Sequence, residues 1–329
     1  MFIPDLIYGA GSRQTPIVSP LSPTDDATAP DAAVCPAVDV DSSTRELSTV
    51  RLHVVTGGDE SGPLVVLLHG FPEFWYGWRH QLEPLLEAGY RVVVPDQRGY
   101  NRSEKPEGVG AYRLRYLTRD IVDQIEAAGR ERAHVVGHDW GGIVAWDLAT
   151  RYPDLVDRLA VINAPHPAVF QRVLRSSIEQ QARSWYAFLF QLPWLPERLL
   201  GANEYERLER ALTETAQTGT FPEPDRALYR RAWQQPGSLT GMLNWYRASG
   251  RYPLIRLGPS MPAADDDQLQ TPTLLIWGDE DVALTTELAQ RSISQCAQRR
   301  FVQVSGASHW AQHEASALVS EELLAHLSS

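Results

Sequence analysis

Six short apolar runs constrain the fold of this chain more than any other feature, because each is ended by glycine, proline or aspartate. They read PLVVLLHG, RVVVPDQRG, AHVVGHD, LAVINAP, TPTLLIWGD and RFVQVSG. Continuous apolar runs of this length are typical of strands that are buried on both faces of a parallel sheet. A further segment, TVRLHVVTGG, alternates polar and apolar residues and predicts an edge strand of a hairpin.

Helical patterns lie between these runs. In LRYLTRDIVDQIEAAG, Leu117, Ile121 and Ile125 recur every four residues, and Gly129 follows as a stop. The segment GIVAWDLATRYP predicts a helix that ends before Pro153. Strands that alternate with helices predict an α/β fold with a mostly parallel, doubly wound sheet and right-handed crossovers.

The alternation is interrupted between residues 167 and 256, where no run predicts a strand. We therefore expect an all-helical cap, inserted between two halves of the core at 46–166 and 257–329. An aromatic lid over the carboxyl ends of the strands would enclose an apolar pocket. The aromatic residues of this stretch include Trp185, Tyr186, Phe188, Phe190, Trp194, Trp233, Trp245 and Tyr246.

Residues 1–45 differ in composition, being rich in Pro, Ser, Thr, Asp and Ala. They predict an N-terminal extension with little regular structure, whose role is open between covering the cap, mediating a homodimer and lining a tunnel. The first residues lack the basic start and long apolar run of a signal peptide. No stretch of about 18 apolar residues predicts a membrane-spanning helix.

Charge and cysteine content exclude several classes of function. A formal net charge of -11 argues against non-specific binding to nucleic acid or to an anionic membrane, since both attract a basic face. Cys35 and Cys296 are too far apart for a disulfide framework or a metal site, so we expect a reducing, cytoplasmic compartment. His309 and His313 lack the glutamate of H-E-x-x-H and a third ligand, so no metal is expected.

The segment HVVGHDWGG, residues 134–142, has the form of a nucleophile elbow. Gly137, Gly141 and Gly142 supply the small neighbours that such a sharp strand-to-helix turn requires. Asp139, however, occupies the centre, where these elbows usually carry serine. On this segment alone, the alternative is an ordinary glycine-rich turn with an aspartate that caps the helix.

Two later segments favour the catalytic interpretation. His309 follows the last predicted strand, and the acidic group Asp279, Glu280 and Asp281 follows the strand before it. Nucleophile, acid and histidine follow each other in the chain in this order in the catalytic triads of α/β folds that carry a nucleophile elbow. Within the acidic group we favour Asp281 and keep Asp279 as the alternative.

In the segment LLHGFPEFWYGWRHQ, His69, Gly70, Phe71 and Pro72 follow a buried strand. In α/β folds with a nucleophile elbow, a backbone N–H at this place forms half of the oxyanion hole. The backbone N–H groups of Phe71 and Trp140 are the predicted donors, and their side chains are predicted to line the pocket. The further pocket candidates are His69, Pro72, Trp185 and Trp310.

A carboxylate at the elbow limits the chemistry. It needs no proton removed before it attacks, but it is a modest nucleophile, so its target must be a strained or activated sp³ carbon. Epoxides and haloalkanes qualify. Attack would leave an alkyl ester on Asp139, and His309, oriented by Asp281, would activate the water that attacks the ester carbonyl. An epoxide oxygen also needs acidic donors, for which Tyr186 and Tyr246 are candidates, although each alone also fits an ordinary core position.

Taken together, these residues resemble the epoxide hydrolases of the α/β-hydrolase fold, of the soluble and microbial type. The matching segments, HGFPEFWYGWRHQ, VPDQRGYNRSEKP, VGHDWGG, FLFQLPW, LNWYR, GDEDVAL and ASHWAQ, extend over roughly residues 48–315. The resemblance implies a nucleophile, acid and base at Asp139, Asp281 and His309, with two tyrosines that polarise the epoxide. It also implies an epoxide and water as substrates, a vicinal diol as product, and no cofactor.

Two alternatives share the same residues. A haloalkane dehalogenase would use Asp139, Trp140 and His309, but Phe71 stands where that family often has a halide-binding asparagine, and the tyrosines would have no role. A non-catalytic ligand-binding protein of this fold usually lacks a member of the triad. The resemblance does not extend to residues 1–45 or to the cap loop at 200–225.

Overall fold

The computed structural model describes residues 38–251 and 268–329 of the chain. Within them, eight strands form one sheet in the order β1-β2-β4-β3-β5-β6-β7-β8. The pairs β1–β2 and β2–β4 are antiparallel, and the other neighbours are parallel. The strands are β1 Val40–Glu46, β2 Arg51–Gly57, β3 Leu64–Leu68, β4 Arg91–Pro95, β5 Ala133–His138, β6 Val156–Ile162, β7 Thr273–Gly278 and β8 Arg299–Val304.

The hairpin at the start of the sheet corrects two expectations. The segment predicted as an edge strand forms β2, which lies second, because β1 pairs along its outer side from Val40↔Gly57 to Glu46↔Arg51. The strand β1 also begins inside the segment 1–45, which was expected to have little regular structure; residues 1–37 lie outside the described part. Its sequence VDSSTRE is mostly exposed, so the strand is held mainly by its backbone ladder and has no apolar pattern that would predict it.

Helices cover the central strands, which are buried as their apolar runs predict. Every residue of β3 and β7 is buried. The helix Trp140–Arg151 packs on β3, β5 and β6, and the C-terminal helix Ser316–Leu327 packs on the helix Arg79–Glu87 and on β6 and β7. The helices of the core are α1 Arg79–Glu87, α2 Leu114–Ala127, α3 Trp140–Arg151, α11 Thr286–Ile293, α12 Ala311–Glu314 and α13 Ser316–Leu327.

Seven helices and no strand occupy residues 167–251 between β6 and β7, and we call them the cap. Residues 252–256, the end of the expected cap, lie outside the described part of the chain. The helices of the cap are α4 Pro167–Ser176, α5 Ile178–Arg183, α6 Trp185–Leu189, α7 Leu195–Leu200, α8 Glu206–Thr213, α9 Glu223–Gln234 and α10 Ser238–Arg251.

Hydrogen bonds from buried cap side chains fix the cap over the core. The Trp233 indole donates to the Pro72 carbonyl oxygen at 2.6 Å, and the Trp245 indole donates to the Arg98 carbonyl oxygen at 2.9 Å. Because these acceptors follow β3 and β4, the cap lies above the carboxyl ends of the parallel strands. None of the helices among residues 38–251 and 268–329 is long and apolar enough to cross a membrane.

Candidate active site

Asp139 occupies a strained turn between β5 and α3. Its φ is +48° and its ψ is −120°, a backbone conformation that residues with a side chain rarely adopt. A Cβ added to Gly141 would lie 2.1 Å from the Leu68 carbonyl oxygen, so the turn fits only because this position carries no side chain. The Asp139 carboxylate makes no capping hydrogen bond to α3, which argues against the interpretation as a helix cap.

The two oxygens of the Asp139 carboxylate have different environments. Oδ1 accepts a hydrogen bond from the Phe71 backbone N–H at 2.8 Å, the group predicted to stabilise an oxyanion. Oδ2 lies 3.6 Å from His309 Nε2, which is ion-pair rather than hydrogen-bond distance. Trp140 begins α3, where backbone N–H groups lack partners within the helix, so its N–H is available as a second donor.

His309 is held by a buried acid. Its Nδ1 lies 2.7 Å from Asp281 Oδ2, and both side chains are buried. The other Asp281 oxygen accepts from the backbone N–H groups of Ala283 and Leu284 at 2.8 and 2.9 Å. Asp279, the alternative acid, instead accepts from the Gly306 N–H near the surface, so the geometry distinguishes the two.

Asn163 supports this acid and was not predicted from the sequence. Its side-chain amide donates to Asp281 Oδ2 at 2.8 Å, while its carbonyl oxygen accepts from the Gly278 N–H at 3.0 Å. Asn163 directly follows β6 and has a φ of +42°, which asparagine tolerates better than most residues. An asparagine at the end of an apolar run was the available signal, but turns commonly carry one.

The charges around His309 favour its protonated form. Burial disfavours the imidazolium, but Asp281 and Asp139 outweigh that effect and raise the pKa of His309 to about 10. Burial likewise disfavours a charged Asp281, yet His309 and Asn163 hold the pKa of Asp281 below its ordinary value. In the resting site, His309 therefore carries a proton at neutral pH.

Two tyrosines of the cap face this carboxylate. Tyr186 lies on α6 and Tyr246 on α10, and their ring centroids are 5.9 Å apart. The Tyr246 ring packs edge-on against Trp140 at 5.0 Å. Burial raises the pKa of both phenols above the ordinary value, and the charge of Asp139 raises it further. Both hydroxyls are therefore protonated hydrogen-bond donors at neutral pH.

A cavity of about 290 Å³ joins these groups, since Asp139, His309, Tyr186, Tyr246 and Trp140 all line it. Most of its remaining wall is apolar, which suits a small organic ligand. Further lining residues are Ile143, Phe170, Leu174, Phe188, Gln191 and Leu284. Phe170 and Leu174, four residues apart on α4, were missed because their spacing fits any packed helix face.

Several residues predicted to line the pocket lie elsewhere. Phe71 is not among the lining residues, and its ring packs against Phe190 and Tyr246. His69 lies below the site, where its Nε2 accepts from the Gln97 backbone N–H at 3.0 Å. The carbonyl oxygen of Pro72 is used by Trp233, and its ring is also absent from the cavity wall.

The two predicted tryptophans of the pocket also lie outside its wall. Trp185 precedes Tyr186 on α6, and successive side chains of a helix point about 100° apart, so only one of the two faces the cavity. Trp310 packs against the His309 ring at 5.1 Å, and its indole donates to Thr215 of the cap at 2.9 Å. Trp310 therefore supports the histidine from outside the cavity.

No group of three or more His, Cys, Asp or Glu side chains in the described ranges is arranged to hold a metal ion. The titratable residues that line the cavity are the carboxylate, the imidazole and the two phenols. Such a set suits nucleophilic attack followed by acid–base steps.

The chain is similar to known proteins of the alpha/beta hydrolase fold, among them epoxide hydrolases. The sequence profile of the alpha/beta hydrolase fold family matches residues 63–316. The AB hydrolase superfamily protein YfhM of Bacillus subtilis (strain 168) is 45% identical over 279 residues, covering 84% of this chain and 94% of that protein. Epoxide hydrolase 2 of Caenorhabditis elegans is 37% identical over 279 residues, covering 83% of this chain and 76% of that protein.

Among solved structures, a Bacillus megaterium epoxide hydrolase in complex with an inhibitor has a TM-score of 0.78 and 31% sequence identity. The alignment covers 87% of this chain and 100% of that chain.

Proposed function

The chain belongs to the alpha/beta hydrolase family and, within it, to the epoxide hydrolases, and from this premise we propose that it converts epoxides to vicinal diols through an ester on Asp139. One observation carries the proposal. A single carboxylate has one oxygen held by the Phe71 N–H at 2.8 Å and the other 3.6 Å from His309, and it shares a cavity with two phenols.

The first step is ring opening. Asp139 Oδ2 attacks a ring carbon, the carbon–oxygen bond of the epoxide breaks, and the ring oxygen takes a proton from Tyr186 or Tyr246. The raised pKa values of the phenols keep both protonated until the alkoxide develops, and two donors stabilise its charge better than one. The products of this step are an alkyl ester on Asp139 and one phenolate.

The second step begins with a change of charge. Esterification removes the negative charge of Asp139, which is one of the two charges that raise the pKa of His309. The pKa of His309 therefore falls, and its proton passes through water in the cavity to the phenolate. The phenol is restored, and His309 becomes a neutral base when one is required.

Hydrolysis of the ester completes the cycle. Neutral His309 takes a proton from water, and the water oxygen attacks the carbonyl carbon of the ester. The N–H groups of Phe71 and Trp140 stabilise the charge that develops on Oδ1. The bond to Oδ2 then breaks, and the diol leaves with Oδ2 and a proton from His309. The carboxylic acid left on Asp139 passes its own proton to His309, which restores the resting carboxylate and imidazolium. The water oxygen remains in the Asp139 carboxylate.

The test follows the oxygen atoms through a single turnover. Enzyme in excess over styrene oxide is reacted in heavy-oxygen water, and both the diol and the peptide that contains Asp139 are weighed by mass spectrometry. We expect the label in the peptide and not in the first diol. Label in the first diol, with none in the protein, would rule out the ester. The Asp279→Asn variant serves as the control and should behave as wild type.

A further inference from the structure

Gln191 lies between the two helices that carry the tyrosines. Its side-chain amide donates to the Ala187 carbonyl oxygen at 3.1 Å and to the Tyr246 carbonyl oxygen at 2.9 Å. Ala187 is the neighbour of Tyr186 on α6, and Tyr246 is the tyrosine of α10. The two protons of one amide group therefore join the backbones on either side of the pair of phenols.

The end of α6 explains why Ala187 accepts this bond. The helix ends at Leu189, and the Gln191 backbone N–H donates to the Phe188 carbonyl oxygen at 3.1 Å rather than to Ala187. The last carbonyl oxygens of a helix need partners from outside its ladder. The side chain of Gln191 supplies that partner and extends the same amide to the second helix.

Gly250 makes room for the amide. A Cβ added there would lie 2.6 Å from Gln191 Oε1, 2.7 Å from its Cδ and 2.8 Å from its Nε2. Gly250 lies within the helix α10, where glycine is less favourable than alanine. The contact with Gln191 gives a reason for glycine at a position where helix propensity alone favours alanine.

Arg247 holds the same two segments together independently. Its guanidinium donates to the carbonyl oxygens of Phe190 and Leu192 at 3.0 and 2.8 Å and pairs with Glu197 at 2.6 Å. This side chain is buried, whereas Gln191 lines the cavity. Loss of the Gln191 amide therefore leaves the two segments attached and affects mainly their fine spacing.

We propose that Gln191 is a positioning residue that sets the separation of the Tyr186 and Tyr246 hydroxyls, and that Gly250 is the gap its amide requires. The inference rests on the proposed function, because it assumes that both phenols act on one epoxide oxygen. Shared donation to a single atom tolerates little displacement of either donor. Gln191 itself takes no part in proton or bond transfer.

The test compares two glutamines of the cap. Gln191→Met keeps the bulk and removes both donors. Gln181→Met removes an exposed amide that also binds a backbone carbonyl, that of Leu174 on α4 at 2.9 Å, rather than the helices that carry the phenols. Single-turnover mixing with styrene oxide resolves ester formation from ester hydrolysis. We expect Gln191→Met to slow ester formation about tenfold, with hydrolysis within about twofold of wild type. Gln181→Met should change neither rate.

Gly250→Ala disturbs the same contact by adding a methyl group to α10 where the Gln191 amide lies. It keeps every donor but displaces the amide, so it should also slow ester formation. The double variant Gln191→Met with Gly250→Ala should form the ester no more slowly than Gln191→Met alone, because both changes remove the same contact. Since alanine favours the helix, Gly250→Ala alone carries the test even where Gln191→Met does not fold.

The outcomes separate the two proposals. A wild-type enzyme that forms no ester overturns the proposed function and the inference with it. A wild-type enzyme that forms the ester, with Gln191→Met as fast as Gln181→Met, overturns only the positioning role. Equal slowing of both chemical steps also overturns it, because general loosening of the site, unlike misplaced phenols, affects hydrolysis as well.

Discussion

At the scale of single residues, the charge of Asp139 links the two halves of the proposed reaction. The carboxylate lies close enough to His309 to help keep it protonated in the resting site. Once esterified, it no longer does so. The same atoms that make the nucleophile thus control when the base becomes available, and no movement of the backbone is required. Asp281, held by four hydrogen bonds, keeps its charge in both states.

Asp139→Asn tests this link directly. The neutral amide cannot attack, so we expect turnover to fall by a factor of about 10³ or more. It also removes one of the charges that favour the imidazolium, so the titration midpoint of His309, followed by NMR, should fall from about 10. Asp279→Asn removes a near-surface charge and should leave the midpoint unchanged. A midpoint that does not move in Asp139→Asn would contradict the link.

At the scale of elements, α6 and α10 form one functional unit, although the chain separates them by three further helices of the cap. Each brings one phenol to the cavity, and Arg247 and Gln191 join the two segments. The core brings the carboxylate, acid and histidine from the ends of β5, β7 and β8. The distances between the phenols and the carboxylate therefore depend on the position of the cap relative to the core.

Replacing the two tyrosines by phenylalanine tests whether the helices act jointly. If both phenols stabilise one alkoxide, Tyr186→Phe and Tyr246→Phe should each slow ester formation about tenfold, because the other donor remains. The double variant should slow it by more than the product of the two effects, since no donor is left. Single-turnover rates of ester formation provide the measurement. Small, multiplicative effects would assign the tyrosines to packing alone.

The contact between α9 and the core predicts a loss of stability. The Tyr229 hydroxyl donates to Glu73 Oε1 at 2.7 Å, and both groups are buried. Tyr229→Phe removes one of the two partners of this buried oxygen, since His313 Nε2 also lies 2.8 Å from it. Unfolding in urea should therefore require about 1.5–3 kcal/mol less, the range for a hydrogen bond to a charged group. Tyr76→Phe is the matched control, because its hydroxyl contacts the more exposed Asp225 at 3.1 Å. An equal loss in both variants would contradict this account.

What the sequence predicts depends on whether a pattern is local. The strand positions, helices α2 and α3 and the fold class follow from apolar runs and periodicity, and they are confirmed. The expected burial on both faces is wrong for β8, which lies at the edge of the sheet and is mostly exposed or half-buried. Asp139, Asp281 and His309 are brought together because each follows a strand in a motif with a fixed place in the fold. The strand β1 and the true walls of the cavity were missed, since they depend on backbone pairing and on the seating of the cap, which leave no local pattern.

At the scale of the whole molecule, a buried and charged histidine couples the site to the stability of the fold. The pKa of His309 is raised to about 10 in the folded protein, against about 6.5 in an unfolded chain. Between these two values the folded state binds one proton more than the unfolded state. The stabilisation of the fold by the proton on His309 is therefore complete below pH 6.5 and is lost as the pH rises towards 10.

The size of this coupling can be measured against a variant without the imidazole. The predicted slope is about 1.4 kcal/mol per pH unit, so between pH 7 and 9 wild type should lose up to about 3 kcal/mol more unfolding free energy than His309→Gln. The comparison matters because burial lowers the pKa of Lys105 to about 8, and that group changes stability in the opposite direction above about pH 8. Both proteins contain Lys105, so its effect cancels in the difference. Parallel stability profiles in urea would show that Asp281 and Asp139 do not hold a proton on His309, and the proposed timing of the base would then lose its physical cause.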